Sequence, residues 1–530
     1  MTPTPTSSQI NTADTAVPPG AALGDALAPS GAVPWWRLMN RYHWFVLIVA
    51  ALGWLFDCLD QQLFTLARVP AMRDLLGGLP GSHPSVKSWG GWVTSVFLIG
   101  WATGGLFFGV LGDRIGRART MMITILLYSL CTGLSSLSVS VWDFAFYRFI
   151  TGLGVGGEFA VGVALVAEVM PTGARARALA LLQALSAIGN VSAALISMGM
   201  GQLEQTGVAA WRIMFLIGAL PALLALVIRR RLKEPERWQA AAQQVGEKRK
   251  LGSYRELFRH PLWRRRAIIG LLLASSGVIG LWGIGFFSAD LSRAVFRKHY
   301  VAEIYAEQIA LASAAGDTSK AADLTLVRDA ELIPPPRGTT APPLSDAQTK
   351  LKASLEPQVG GRLTTWAGVT LLMQQIGAFL GMYTFGWLAQ RIGRRPTFAI
   401  AFIMALFSTA LVFWYMDEPS DVFWMVPLMG FFQLSLFAGY AIYFPELFPT
   451  YLRSTGTSFC YNVGRFVAAT GPAVLGVLTG VVFAGYPEPL PWRYAGVSMC
   501  GIFLLGLAVL PFAPETKGQP LPEDEPSFAH

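Results

Sequence analysis

Gly109 to Thr120 reads GVLGDRIGRART, and 277 residues later Gly386 to Thr397 reads GWLAQRIGRRPT. Gly, Leu, Arg-Ile-Gly-Arg and Thr keep their places in both copies. A second pair behaves the same way. EVMPTGAR (Glu168 to Arg175) and ELFPTYLR (Glu446 to Arg453) share the frame E-x-x-P-T-x-x-R at an offset of 278. Two independent motifs at nearly one spacing define an internal duplication. Each copy of the first motif follows an even number of apolar segments, so the halves map onto each other in parallel orientation.

The apolar segments set the fold class. Of 530 residues, 53% are hydrophobic and 14% charged, whereas a soluble domain carries roughly a quarter charged residues. Twelve stretches are long enough to cross about 30 Å of hydrocarbon as helices: 43–67, 89–111, 120–139, 142–170, 178–200, 211–228, 267–296, 363–388, 398–416, 422–444, 455–483 and 494–512. The expectation is an all-α membrane protein of twelve transmembrane helices in two pseudo-symmetric six-helix bundles, 41–229 and 267–513. A basic linker at 230–266 joins them. Residues 1–40, rich in Pro, Thr, Ser and Ala, and 514–530 read as tails, the first disordered. The connection at 297–362 mixes both charge signs around LIPPPRGTTAPPL and reads as a partly disordered outer excursion.

Cations fall on alternate connections, as in GDRIGRART, PTGARARA, QRIGRRPT and the linker, while SVSVWD, MDEPSD and GYPEPLP have none. This asymmetry predicts cytoplasmic termini. It absorbs most of the +9 formal charge and argues against a nucleic-acid partner. The four cysteines lie in apolar segments without a C-x-x-C pair, so neither a disulfide framework nor a metal site is expected. No G-x-x-x-x-G-K-[ST] loop is present, and no cofactor or enzymatic constellation is expected.

Charges inside the apolar segments are the candidate machinery, because one at the bilayer centre costs at least about 2.5–3.5 kcal/mol on insertion scales. LGWLFDCLDQQLFTLA (Leu52 to Ala67) places Asp57, Asp60 and Gln61 on one helix face. A carboxyl balanced between desolvation, which favours its neutral form, and a nearby cation can take a proton on one side and release it on the other. The bland alternative is a structural ion pair. Arg148, in YRFITG, needs an acid, with helix one as its source, or an anchoring position near the headgroups. Glu158, about 15 Å further along that helix, is a second protonatable candidate or the partner of a buried polar group. Arg465, with Tyr461 and Asn462 in CYNVGRFVAATGP, presents a planar fork suited to a carboxylate, unless it is locked to Asp57 or Glu158. Gln61, Gln374 and Gln375 offer amides for hydroxyl groups.

In order along the chain, GVLGDRIGRART, RFITGLGVGGE, EPERW, GWLAQRIGRRPT and PETKG resemble the signature segments of the major facilitator superfamily. WRIMFLIGALPALLALVIRRRLKEPERW is similar to that region in sialic acid and other metabolite:proton symporters, and DCLD resembles the D-G-x-D of aromatic-acid:proton symporters with Cys58 replacing Gly. The resemblance covers the chain except the tail and the 297–362 loop. It implies alternating access, a coupling role for Arg148, and an acid retained at Asp60, which favours Asp60 over Asp57 as the proton-carrying site. It implies gating by Gly109, Asp113, Arg114, Gly116 and Arg117 with Glu168 and Arg175, and by Arg391, Gly393 and Arg394 with Glu446 and Arg453. Gln390 replaces the acid in the second copy, so that half should hold its gate less strongly. The resemblance implies proton-coupled symport of a small organic anion, an aromatic acid, sialic acid or similar metabolite, by a monomeric multi-pass protein, in the inner membrane if the host is bacterial. The alternative is a sugar:proton symporter, although LLLASSGVIGLWGIGFF lacks the Q-Q-x-S-G of sugar porters; an exporter or a non-transporting sensor are lesser alternatives. With Asp57 and Asp60 both changed to Asn, an imposed pH gradient should no longer concentrate substrate; a double variant that still accumulates it removes the pair from coupling.

Overall fold

A computed structural model describes residues 34–78, 84–204, 209–244, 251–332, 344–468, 471–483 and 485–522. Among these the chain is helical without strands. The first half comprises α1 (Arg41–Leu75), α2 (Pro84–Ile115), α3 (Arg117–Ser135), α4 (Val141–Val169), α5 (Thr172–Ala184), α6 (Ser186–Glu204), α7 (Ala210–Ile217) and α8 (Ala222–Arg231). Two short linker helices follow, α9 (Glu236–Gln244) and α10 (Tyr254–Arg259). The second half comprises α11 (Pro261–Ile279), α12 (Ser288–Ala314), α13 (Thr318–Leu332), α14 (Asp346–Ile392), α15 (Arg394–Tyr415), α16 (Val422–Leu447), α17 (Arg453–Ala468), α18 (Gly471–Val477), α19 (Leu490–Met499) and α20 (Ile502–Val509).

Eight segments among the described residues meet the length and hydropathy of a membrane span. The pairs α5–α6, α7–α8 and α17–α18, together with the amide-bearing α14, complete the twelve of this fold. Uninterrupted helices were the simplest expectation, and several spans depart from it. The seventh passes from α11 through a π-helical turn at Gly280–Ile284 and a 3-10 turn at Gly285–Phe287 before α12 begins. The eleventh ends in a second π-helical turn at Leu478–Val482. Glycine supplies the break at 280–287, and the freed backbone is tolerated because it is buried in protein.

Each half is held by the same close packing. In the first, α2 lies against α4 so tightly that a Cβ at Gly104 would sit 2.0 Å from the Leu153 carbonyl oxygen. In the second, α14 lies against α16, and a Cβ at Gly381 would sit 1.9 Å from the Phe431 carbonyl oxygen. Small residues let these backbones approach where lipid offers no hydrophobic drive for helix association. The halves meet along two seams, α2 with α17 and α5 with α14.

Two regions expected to be irregular contain described helical structure. Before residue 41, Trp35–Leu38 forms a 3-10 turn with Trp35 buried beside Trp44; residues 1–33 of the proposed tail lie outside the described residues. The 297–362 excursion is largely helical: α12 runs on to Ala314, α13 folds back, and α14 starts at Asp346, while 333–343 lie outside the described residues. Its mixed charges pair between helices. Arg297 bonds Glu331 at 3.0 Å and Glu356 at 2.8 Å, and Lys352 pairs with Glu331. Leu324 and Val327 are buried beneath them. Partial burial raises the Glu331 carboxyl, but hydrogen bonds from Lys352 and Arg297 outweigh it and hold the group below the usual glutamate value. The clamp is therefore complete above the ordinary glutamate range and is lost as pH falls through the depressed value. Arg297→Ala should raise amide exchange across 318–332 several-fold, roughly the 1 kcal/mol ceiling of exposed pairs, and leave α4 unchanged; equal exchange in both proteins would show that the clamp holds nothing.

Candidate functional site

The repeated motifs meet on one face, here called the basic face. Arg117 is buried, 3.0 Å from Asp113 and 2.9 Å from Glu168. It also donates to the carbonyl of Thr450, across the seam, at 2.7 Å. Arg453, from the other half, donates to the same Glu168 oxygen at 2.8 Å. Asp113 accepts from the backbone N–H groups of Ser454 (3.1 Å) and Thr455 (2.8 Å) and from the Thr455 hydroxyl (2.6 Å). It thereby caps the start of α17 from the opposite half, where the helix dipole favours an anion. Close approach of α2 and α17 depends on Gly109, whose absent Cβ would lie 2.4 Å from Ser458 Cβ.

The second copy is built alike within its own half and differently across the seam. Arg394 forms a bidentate pair with Glu446 at 2.7 and 3.1 Å. Gln390, standing where Asp113 stands, makes one bond across, to the Gly173 carbonyl at 2.9 Å. Arg175 is buried, but no ion pair joins it to a described residue, unlike its repeat partner Arg453. Arg114 and Arg391 stay outside the cluster: Arg114 donates to the Leu251 carbonyl and Arg391 stacks on Trp387 at 4.0 Å. Gly116 and Gly393 have φ of 112° and 103°, a region disfavoured for residues with a Cβ. Each admits a carboxylate, Glu234 or Glu515, that accepts the first free N–H groups of α3 or α15 at 2.9–3.1 Å. Those acids belong to EPERW and PETKG.

Deeper in the first half, Asp60 accepts from Thr132 Oγ1 at 2.6 Å and faces Arg148 at 3.5 Å. Arg148 also donates to Ser135 and Thr132 and lies over the Phe215 ring at 4.7 Å. Asp57, one turn toward the basic face, is buried, and neither carboxylate oxygen has a hydrogen-bond partner among the described residues. Glu158 reaches the same region: its Oε2 accepts from Thr124 at 2.9 Å, and its Oε1 would lie 2.3 Å from a Cβ at Gly53. The glycine one turn before Asp57 thus makes room for a third acid. Gln61 is half-buried on this helix, and its side-chain amide bonds no other described residue.

Arg465 stands across the seam. Its guanidinium lies 3.8 Å from the Trp101 ring and 4.4 Å from the Tyr461 ring, and Nε and Nη1 have no hydrogen-bond partner among the described residues. It lines a cavity of about 230 Å³ with Ser95, Trp101, Val278 and Trp282. No ion pair links it to Asp57 or Glu158 among the described residues. Tyr461 stacks on Phe159 at 4.0 Å, joining the halves. Asn462 packs against Gly105 of α2 across the seam and donates to Ser458 one turn earlier on its own helix, while its Oδ1 has no hydrogen-bond partner among the described residues. The glutamines are likewise engaged. Gln375 accepts from Asn190 at 3.2 Å across the halves, and Gln374 reaches the Gly285 carbonyl and Gln433. Gln433, which sequence reasoning missed, donates to the Gly280 carbonyl at 2.9 Å and steadies the broken seventh span. Trp101 and Trp282, 6.4 Å apart, were also missed; a lone tryptophan in an apolar helix carries no distinguishing signal.

Comparison with known proteins agrees with this architecture. The profile described as Major Facilitator Superfamily matches residues 50–306 and 351–529. The chain belongs to the major facilitator superfamily. It is therefore a membrane transporter by family and not an enzyme. It is 28% identical to a putative metabolite transport protein of Haemophilus influenzae, over 91% of this chain and 99% of that one. It is 26% identical to the niacin transporter NiaP of Acinetobacter baylyi, over 82% and 87%. The fold is similar to the proton:xylose symporter XylE, with a TM-score of 0.61 at 16% identity, covering 91% of this chain and 98% of that one. The superfamily match omits 307–350, most of the helical insert. Arg465→Lys, which keeps the charge but loses the planar fork, should weaken apparent affinity for transported acids at least tenfold; unchanged affinity for every acid would remove Arg465 from substrate contact.

Proposed function

We propose that this major facilitator carries a small organic anion together with protons by alternating access, with Arg465 receiving the carboxylate. The observation that carries the reading is the unpartnered edge of a guanidinium, sandwiched between two aromatic rings, in a cavity between the halves. A buried donor left unsatisfied is costly, and a carboxylate supplies two acceptors in the plane of the fork. The rings favour a substrate with a flat or apolar body. The Acinetobacter relative named as a niacin transporter fits that chemistry. A polyol reading has less support, because Gln374 and Gln375 already serve protein groups.

Asp57, Asp60 and Glu158 are the proton-carrying candidates. Asp60 has Arg148 as counter-ion, whereas Asp57 has no hydrogen-bond partner among the described residues; this favours Asp57, not the Asp60 preferred from sequence, as the readier proton acceptor when substrate or water reaches it. The basic face is taken as cytoplasmic from the distribution of cations. On that reading the conformer is closed toward the cytoplasm by the Glu168 bridge and the Asp113 cap. Opening inward requires both to break while the seam at the Arg465 cavity closes, a rocking of one half against the other.

Proteoliposomes carrying a pH-sensitive dye test the proposal directly. Aromatic monocarboxylates should stimulate proton movement, hexoses should not, and Asp57→Asn with Asp60→Asn should abolish the response. Stimulation by hexoses alone would replace the anion reading with the sugar reading.

A further inference from the structure

We propose that the groove between α3, α8 and α9 on the basic face binds the phosphate headgroup of an anionic phospholipid. The groove encloses about 620 Å³. Its floor is apolar, formed by Met122, Ile228 and Leu232, and its rim carries Arg119 and Lys233. Both cations are exposed, and neither side chain forms an ion pair or hydrogen bond with a described residue, the bonds of Arg119 and Lys233 being made by their backbones. The acid that also lines the groove, Glu234, is committed elsewhere, since its two oxygens accept the Ala118 and Arg119 backbone N–H groups. The remaining nearby charges are mainly positive: Arg230, Arg231 and Arg237 stand against Glu236.

Position selects the source of the phosphate. The floor residues are the last apolar turns of α8 and the first of α3, where the helices leave hydrocarbon, and the cations follow at headgroup depth. Trp238 stands at the rim with its Nε1 donating to the Asp113 carbonyl at 2.8 Å, and Trp35, Trp36 and Trp44 cluster at the same end of α1. Tryptophan gathers at this level of a membrane, and basic pockets between helices there attract acidic headgroups. A soluble phosphate would use the rim and leave the apolar floor uncovered, whereas a lipid covers both. The occupied groove lies one hydrogen bond from Asp113, through Trp238, so a bound lipid would brace the closed basic face.

The test uses the full-length protein, purified in detergent and stripped of endogenous lipid. It is equilibrated with phosphatidylglycerol or with phosphatidylcholine of the same acyl chains, and retained lipid is counted by native mass spectrometry. Phosphatidylglycerol should be retained in preference. Arg119→Gln with Lys233→Gln should reduce that retention roughly thirtyfold, from about 1 kcal/mol for each of two cations. Arg119→Lys with Lys233→Arg should preserve it, which separates lost charge from lost folding. Equal retention of the two lipids, or full retention by the glutamine variant, overturns the proposal. Displacement of the lipid by an equal concentration of glycerol phosphate also overturns it, by assigning the site to a soluble ligand.

Discussion

One carboxylate, Glu168, is shared by two arginines from opposite halves of the molecule, and the closed seam depends on it. Arg117 and Arg453 are both buried and both donate to the same oxygen, so neither half can move away without stranding a charge. Removing one member of a buried ion cluster is far more costly than losing an exposed pair. The Asp113 cap adds a second lock of different physics, an anion against the start of a helix. Because both locks join α2 or α4 to α17, they are made or broken together by a relative rotation of the halves. On the proposed alternating-access reading, such a seam would have two states and little between them.

The duplicated halves are not equivalent across that seam. Asp113 takes three hydrogen bonds from its partner half, whereas Gln390 makes one. Arg453 bridges to Glu168, while Arg175 has no comparable ion pair to a described residue. Within each half the design is kept, with Glu234 and Glu515 capping α3 and α15 in the same manner. The internal frame of the repeat is thus preserved, and the asymmetry is concentrated where the halves touch.

Much of this was legible in sequence because it rests on short, local patterns. Twelve apolar segments and the two duplicated motifs can be read without coordinates, since span lengths and repeats are properties of the sequence itself, whereas the capping by Glu234 and Glu515 joins residues more than a hundred positions apart. Asp60 and Arg148 are identifiable as charges that lipid cannot satisfy, which narrows each one's partner to the other helices. What stayed hidden depends on long-range packing. The breaks at 280–287 and 478–482 come without proline, and Gln433 becomes meaningful only when its amide meets the Gly280 carbonyl. The insert looked like an evenly charged excursion because its ion pairs link residues as far apart as Arg297 and Glu356. Asn462 and Gln375 were placed among substrate ligands by residue type; the Asn190 bond that ties Gln375 to the other half, and the packing of Asn462 against Gly105, appear only once the halves are brought together.

The 47-residue α14 has a mechanical consequence. At 1.5 Å per residue it extends about 70 Å, more than twice the hydrocarbon thickness, and it runs unbroken from the inter-half seam into the projecting insert. An unbroken rod of that length is a pointer: a small tilt at its seated end becomes a much wider sweep at its tip. Under the proposed rocking of the halves, the state of the carrier would thereby be displayed well outside the bilayer, as the position of a helical flag.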